Sequence, residues 1–185
     1  MIKLLVLSLL VIAAYSLVDQ SGYTAFYRTT SGVVWAHKVV RVAKHWGEAQ
    51  KHCKAEGAAL TGFDSYEEAE FVFNMTALDK SSGYFLGARR RQGCRYPAKD
   101  RNHPCSRQNM YQWKENVASQ PITDEMWTTG INGEMNPAIP PNEQECLSLR
   151  APRPIWMDMS KGGYLDDVEC GRELFFICGK PATVN

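Results

Sequence analysis

Apolar residues recur at helical spacing in the first half of the chain. Trp46, Ala49 and Cys53 lie three and four positions apart and form one apolar stripe. This spacing predicts a helix over residues 46–56. Gly57 is well placed to end it, because glycine readily adopts the left-handed conformation found after helix C-termini.

A second helix is predicted to begin just after Asp64. Ser65 is a candidate N-cap, because Glu68 follows three residues later at the spacing of a capping box. Four apolar residues of this segment are expected to face the core: Ala69, Phe71, Val72 and Met75. The first half of the chain is therefore predicted to supply two helices.

Short β-branched and aromatic runs predict strands elsewhere. Two runs, 33–35 and 39–42, precede the first helix, and 84–88 follows the second. In the second half such runs lie around Trp113 and at 146–149, 155–156 and 175–178. Long connections separate them, and the span 130–144 is of a length that is usually functional. Early helices and late strands predict one α+β domain.

The N-terminal residues have the pattern of a secretory signal peptide. Lys3 precedes eleven residues that are apolar except for Ser8, and Ala14 and Ser16 place small residues where a signal peptidase reads. The run is too short for a transmembrane helix, which needs ~20 apolar residues. We therefore predict a secreted protein without a membrane span. Its predicted parts are a signal peptide (1–16), a loose lead-in (17–32), one domain (33–180) and a tail (181–185).

Charge, motifs and cysteines narrow the functional class. The 185 residues include 21 Lys and Arg against 20 Asp and Glu, so no overall basic field favours nucleic acid. Because no metalloprotease, serine hydrolase or phosphate-loop motif occurs, we do not expect an enzyme. Six cysteines in a secreted chain predict three disulfides, although spacing leaves their pairing open. A zinc site from Cys94, His103 and Cys105 lacks a convincing fourth ligand.

Several motifs together resemble a C-type lectin-like domain over residues 33–180. They are the first helix pattern, the run 85–88, Trp113, Trp127-x-x-Gly130, Cys146-Leu-Ser-Leu, Asp167-x-x-Cys170 and Phe176-Ile-Cys178. The resemblance implies a disulfide-stapled α+β fold with two helices, small antiparallel sheets and a long loop region. It also implies the pairs Cys53–Cys178 and Cys146–Cys170, which leave Cys94–Cys105 as the simplest third pair.

The resemblance further implies a calcium ion in the long loop region, because domains of this family hold sugars through calcium. Glu134 and Asn136 match two ligands of the family's Glu-Pro-Asn triplet, and Asp166 and Asp167 stand where it has Trp-Asn-Asp. Gln144 replaces a ligating Glu and would bind calcium more weakly. The resemblance thus predicts carbohydrate or a glycoprotein as partner and calcium as cofactor.

Two of these positions depart from the family pattern. Met135 replaces the proline between Glu134 and Asn136, and a cis bond before a non-proline residue costs ~2.5–4 kcal/mol. Asp166 replaces an asparagine, and it can bind a metal but cannot donate a hydrogen bond to a sugar hydroxyl. The predicted sugar contacts are Glu134, Asn136, Asp166 and Asp167.

Calcium-independent alternatives remain open. The same scaffold would serve as a module for a protein partner or for an anionic glycan. The glycan would bind a basic stretch between residues 89 and 107, whose plainer interpretation is a solvated insertion. Its basic residues are Arg89, Arg90, Arg91, Arg95, Lys99, Arg101 and Arg107. Asn74 begins an N-glycosylation sequon. The sequence does not indicate an oligomeric state.

Overall fold

The computed structural model describes residues 21–76, 82–128, 144–150 and 163–182. The predicted signal peptide and the strand predicted at 155–156 lie outside these residues. The described elements follow in the order β1 Thr24–Arg28, β2 Val33–Lys44, α1 Trp46–Ala55, β3 Ala59–Leu60, α2 Tyr66–Met75, β4 Gly83–Arg90, β5 Tyr111–Trp113, a 3-10 turn Asp124–Met126, β6 Cys146–Arg150, β7 Leu165–Val168 and β8 Leu174–Pro181.

Eight strands in the described part of the chain form one sheet. Its main path runs β1–β2–β8–β4–β6–β7, with β3 paired to β8 and β5 paired to β4. These pairings are antiparallel except for the parallel pairing of β4 with β8. The small antiparallel sheets implied by the resemblance are therefore joined into a single sheet through β4 and β8.

The lead-in predicted over residues 17–32 contains a strand, so the expectation of a loose segment is wrong there. Thr24–Arg28 forms β1 and pairs along its whole length with β2. The runs predicted at 33–35 and 39–42 likewise belong to one long strand. The polar composition of this segment did not predict a strand. Its terminal charge, Arg28, is buried because it pairs with Glu68, which lies far away in the sequence.

Both helices form where the hydrophobic spacing predicts them. α1 buries Ala49 and Cys53 and ends one residue earlier than predicted, before Gly57 at φ +69°. The hydroxyl of Ser65 accepts a hydrogen bond from the backbone N–H of Glu68 at 3.2 Å. The predicted N-cap of α2 is therefore confirmed.

Buried side chains form two clusters, one on each face of the sheet. Phe85 packs in the cluster that includes α1, whereas its neighbours Tyr84 and Leu86 pack in the cluster that includes α2. Because side chains alternate between the faces of a strand, the helices cover opposite faces.

Three disulfides staple the fold, and all six cysteines are paired as expected. Cys53–Cys178 joins α1 to β8, and Cys146–Cys170 joins β6 to the turn after β7. Cys94–Cys105 closes a short hairpin between β4 and β5. The first bridge ties the first half of the chain to its last strand, and the second fixes β6 to the residues after β7 within the second half.

A buried hydrogen-bond network joins β1, β2 and α2. Arg28 donates to both carboxylate oxygens of Glu68, at 2.7–3.1 Å. His37 Nε2 lies 2.9 Å from Glu68 Oε1, and His37 Nδ1 lies 3.0 Å from the hydroxyl of Thr61. That hydroxyl also accepts a hydrogen bond from the indole N–H of Trp35. Because Arg28 is 4% exposed and Glu68 fully buried, these contacts replace the water that both charges lose.

Acid is expected to destabilise the domain through His37. Burial lowers the pKa of His37 from its ordinary value of 6.5, and the hydrogen bond to Glu68 opposes this shift. The unfolded chain therefore binds a proton below that pH while the folded ring stays neutral, so the free energy of unfolding falls as the pH falls. His37→Gln should reduce the slope measured by urea unfolding between about pH 7 and about pH 5. An unchanged slope would contradict this role of His37.

Candidate functional site

β7 holds the two adjacent aspartates that the sequence predicts as ligands. The strand lies at one end of the main sheet path, with Asp166 opposite Ser148 and Asp167 opposite Leu147 on β6. Successive side chains of a strand point to opposite faces. Asp167 is accordingly buried and Asp166 only half-buried, so the two carboxylates have different surroundings.

The carboxylate of Asp167 is buried against a guanidinium. Arg90, the last residue of β4, places Nη2 3.1 Å from Asp167 Oδ2, and the two side chains are 8% and 0% exposed. The hydroxyl oxygen of Tyr111 lies 3.4 Å from the same carboxylate oxygen and accepts a hydrogen bond from Arg90 Nε at 3.1 Å. The charge of Asp167 is therefore compensated by a cation of the protein itself.

Tyr111 connects this buried pair to the end of the long loop region. Its hydroxyl donates a hydrogen bond to the backbone carbonyl of Gln144. Burial and the nearby Asp167 carboxylate raise the pKa of Tyr111, so the hydroxyl keeps its proton. The predicted ligand Gln144 thus lies close to Asp167, held through its backbone.

Asp166 faces a different arginine. Its Oδ2 lies 3.6 Å from Arg150 Nε, and its side chain is 28% exposed. Burial raises the pKa of Asp166 to about 6, with Arg150 opposing the shift and Asp167 adding to it. A carboxylate that loses this much hydration is stabilised by added hydrogen-bond donors or cations. Asp166 is therefore suited to contact a polar ligand.

The two described residues that flank positions 129–143, Thr128 and Gln144, lie beside these aspartates. Thr128 donates from its backbone N–H and its hydroxyl to the carbonyl of Leu165, at 2.8 and 3.0 Å. Gln144 is bound by Tyr111. The predicted ligands Glu134 and Asn136 lie in this segment, outside the described residues.

The described residues do not form a calcium site as they stand. Calcium takes about six to eight oxygen ligands. No group of three or more His, Cys, Asp or Glu that could hold a metal occurs within residues 21–76, 82–128, 144–150 and 163–182. Asp167 is paired with Arg90, and Asp166 points to the other face of the strand. The calcium ligand set stays a prediction; it comprises Glu134, Asn136, Gln144, Asp166 and Asp167.

Arg90 and Tyr111 were not expected as site residues. Arg90 was predicted only as one basic residue of a surface stretch, and Tyr111 had no predicted role. A signal for Arg90 was available, because it follows the predicted strand 84–88 with the alternation intact. Arg90 then shares a face with Ala88, which is fully buried.

Two predictions, N-glycosylation of Asn74 and the lack of a membrane span, concern described residues. Asn74 is exposed on the last turn of α2, and the hydroxyl of Thr76 in the same sequon donates to the carbonyl of Phe73 at 2.7 Å. Glycosylation of Asn74 stays a prediction. Neither described helix has the length and apolar character required to cross a membrane.

Comparison with known proteins identifies the family of this chain. A family model described as "Lectin C-type domain" matches residues 42–180. A comparison with curated protein sequences finds no match.

Several solved structures share the fold. The carbohydrate-recognition domain of cow CD23, solved in the presence of a GlcNAc2Man3 oligosaccharide, is 18% identical, with coverage of 90% of this chain and 98% of that chain and a TM-score of 0.58. Herring type II antifreeze protein is 19% identical (89% and 100% covered, TM-score 0.57). The Ca2+-independent C-type lectin SPL-2 from Saxidomus purpuratus is 17% identical (86% and 91% covered, TM-score 0.56). At these identities the likeness shows the fold alone.

Proposed function

The chain belongs to the C-type lectin domain family, and from this premise we propose that it is an extracellular carbohydrate-binding protein rather than an enzyme. The proposed sugar site lies where the segment 129–143 meets β7. Glu134, Asn136 and Asp166 are its proposed polar contacts. The three disulfides support an extracellular location, because such bridges persist in oxidising compartments.

The hydrogen bonds of Thr128 and Gln144, the described residues that flank positions 129–143, are the observation that carries this proposal. Thr128 and Gln144, at the two ends of the segment, are both hydrogen-bonded to residues on or next to the strand of Asp166. Carboxylates accept hydrogen bonds from sugar hydroxyls, and an asparagine amide both donates and accepts them. Acids and an amide are therefore a chemically suitable set of contacts for a saccharide.

We also propose that sugar binding does not require calcium. A calcium ion bound by Asp167 would lie ~2.3–2.6 Å from its oxygens, close to the guanidinium of Arg90. Two cations would then share one buried carboxylate, which Coulomb repulsion opposes. In this account Asp167 is a positioning residue that holds Arg90 and Tyr111 at the end of the loop.

The calcium-dependent hypothesis requires a different position of the Arg90 side chain. It needs the guanidinium to leave Asp167, so that Asp167 joins Glu134, Asn136, Asp166 and Gln144 around the ion. Bound calcium would supply positive charge for pairs of sugar hydroxyls. The Arg90–Asp167 contact favours the calcium-independent hypothesis over this one.

Glycan binding in the presence and absence of calcium tests the proposed function. The secreted wild-type chain should bind a subset of neutral saccharides on a glycan array equally in calcium and in excess EDTA. Asp166→Ala should weaken this binding about tenfold, because it removes a hydrogen bond to a charged acceptor. Glu173→Ala is the matched control, since Glu173 is an exposed acid outside the proposed site.

Each contrary outcome has a definite meaning. Binding that EDTA abolishes would refute calcium independence and restore Asp167 as a candidate ligand. No saccharide binding in either buffer would refute the carbohydrate proposal and favour a protein partner. Equal losses for Asp166→Ala and Glu173→Ala would move the site away from β7.

A further inference from the structure

The disulfide-closed hairpin between β4 and β5 contains a cleft outside the proposed sugar site. The cleft has a volume of about 230 Å³ and lies where the hairpin meets the 3-10 turn. Its polar lining consists of Lys99, Arg101, Ser106, Arg107, Gln108 and Asp124. This lining combines positive charge with hydrogen-bond donors.

Ser106 presents a hydroxyl that the protein does not use. The residue is 2% exposed, and its Oγ has no hydrogen-bond partner among the described residues. Its backbone is fixed, because its N–H donates to the carbonyl of His103 and its carbonyl accepts from the N–H groups of Asn109 and Met110. Native proteins rarely leave a buried polar atom unsatisfied. An acceptor atom in the cleft would satisfy the hydroxyl of Ser106.

The charges around the cleft favour an anion. Lys99, Arg101 and Arg107 provide three positive charges against one negative charge on Asp124, a net charge of two. Asp124 lies 3.3 Å from Arg101 Nη2 and so compensates part of this charge. Burial lowers the pKa of Arg107, and the Asp124 carboxylate opposes this shift.

The hairpin holds the cleft in shape before a ligand arrives. Cys94–Cys105 closes it, and the backbone N–H of Ala98 donates to the carbonyl of Cys105 at 2.8 Å. Ala98 also forms an isolated bridge with Ser106. A site fixed in this way loses little conformational entropy on binding.

We propose that this cleft binds a tetrahedral oxyanion, a sulfate or phosphate group, with Ser106 donating to one oxygen and the three basic residues balancing the charge. The inference that the oxyanion belongs to a glycan rests on the proposed function. The inference that the cleft binds free sulfate or phosphate does not. The natural ligand class is then a saccharide with a sulfate or phosphate ester.

Calorimetric titration of the full secreted chain with sodium sulfate and sodium phosphate, at constant ionic strength with sodium chloride as background, tests the cleft. Saturable binding of at least one of these ions is expected. A comparison of galactose 6-sulfate with galactose tests whether the sulfate ester is the recognised group. Binding of the sulfated sugar alone supports this role of the ester, and equal binding of both sugars would refute it.

Ser106→Ala should weaken oxyanion binding about tenfold, since it removes a hydrogen bond to a charged acceptor without changing the net charge. Lys99→Gln should weaken it about threefold, and Asp124→Asn should strengthen it about threefold. The matched control is Arg95→Gln, which removes one exposed charge from the same hairpin outside the cleft and should change affinity by less than about twofold.

Unchanged affinity in Ser106→Ala, or equal losses in Arg95→Gln and Lys99→Gln, would refute the cleft and indicate diffuse charge attraction. Thermal melting of Ser106→Ala should match the wild type, because the hydroxyl has no hydrogen bond to the described residues to lose. The two proposals fail separately, because Asp166→Ala should leave sulfate binding intact and Ser106→Ala should leave binding of neutral glycans intact.

Discussion

Arg28→Gln is expected to lower the free energy of unfolding by about 3–5 kcal/mol, the cost of breaking a buried ion pair. Arg28 donates to Glu68 and also to the backbone carbonyls of Gly62 and Val117, at 2.8 and 2.9 Å. The substitution leaves the fully buried carboxylate of Glu68 without its guanidinium, and it releases two carbonyls as well. Urea unfolding at neutral pH measures the loss.

Lys38→Gln is the matched control for this prediction. It removes a cation from the pair with Glu56, whose side chains are 26% and 30% exposed. Solvated pairs contribute little, so the expected loss is under about 1 kcal/mol. Equal losses in the two variants would show that burial of the Arg28–Glu68 pair has no special effect on stability.

Arg90→Gln is expected to lower the free energy of unfolding by about 3 kcal/mol, again because a buried carboxylate loses its cation. Tyr111 stays beside Asp167 in this variant, so the expected loss of stability lies near the lower end of the range for buried ion pairs. Chemical unfolding in calcium-free buffer measures the effect.

Arg89→Gln provides the control at the neighbouring position. Arg89 pairs with Glu145 at the surface, so its removal should cost under about 1 kcal/mol. If Arg90→Gln is no more destabilising than Arg89→Gln, the guanidinium does not neutralise Asp167 and the argument against a calcium ligand there fails.

Local signals in the sequence predicted much of this fold. The stripe of Ala49 and Cys53 predicted α1, and the Ser65 cap predicted the start of α2, because helices depend on residues three and four positions apart. The family resemblance then supplied the cysteine pairs that spacing alone left open. Glu68 was expected only as part of a cap, yet it also binds Arg28 from β1.

The site was less predictable because its contacts join residues far apart in the chain. Arg90 and Asp167 are separated by 77 positions, and no local pattern reports that they meet. The resemblance identified Asp166 and Asp167 by their distance from Cys170, but it could not show that an arginine compensates one of them. For the same reason β1 was missed, since its terminal charge is compensated 40 positions later in the chain.

The family establishes the scaffold and leaves the ligand to be determined from the site. Proteins that share this fold include one solved with an oligosaccharide, an antifreeze protein and a Ca2+-independent lectin. The surroundings of individual side chains therefore decide the function of each member. In this chain the proposal of calcium independence depends on the contact between Arg90 and Asp167.

Isothermal titration calorimetry with calcium chloride on the wild-type chain tests the central claim most directly. Because Arg90 already compensates Asp167, we expect no saturable calcium binding and the same melting temperature in calcium and in EDTA. Saturable binding of one calcium ion per chain that disappears in Asp167→Asn would contradict the account, since it would show that the ion and not Arg90 is the partner of Asp167.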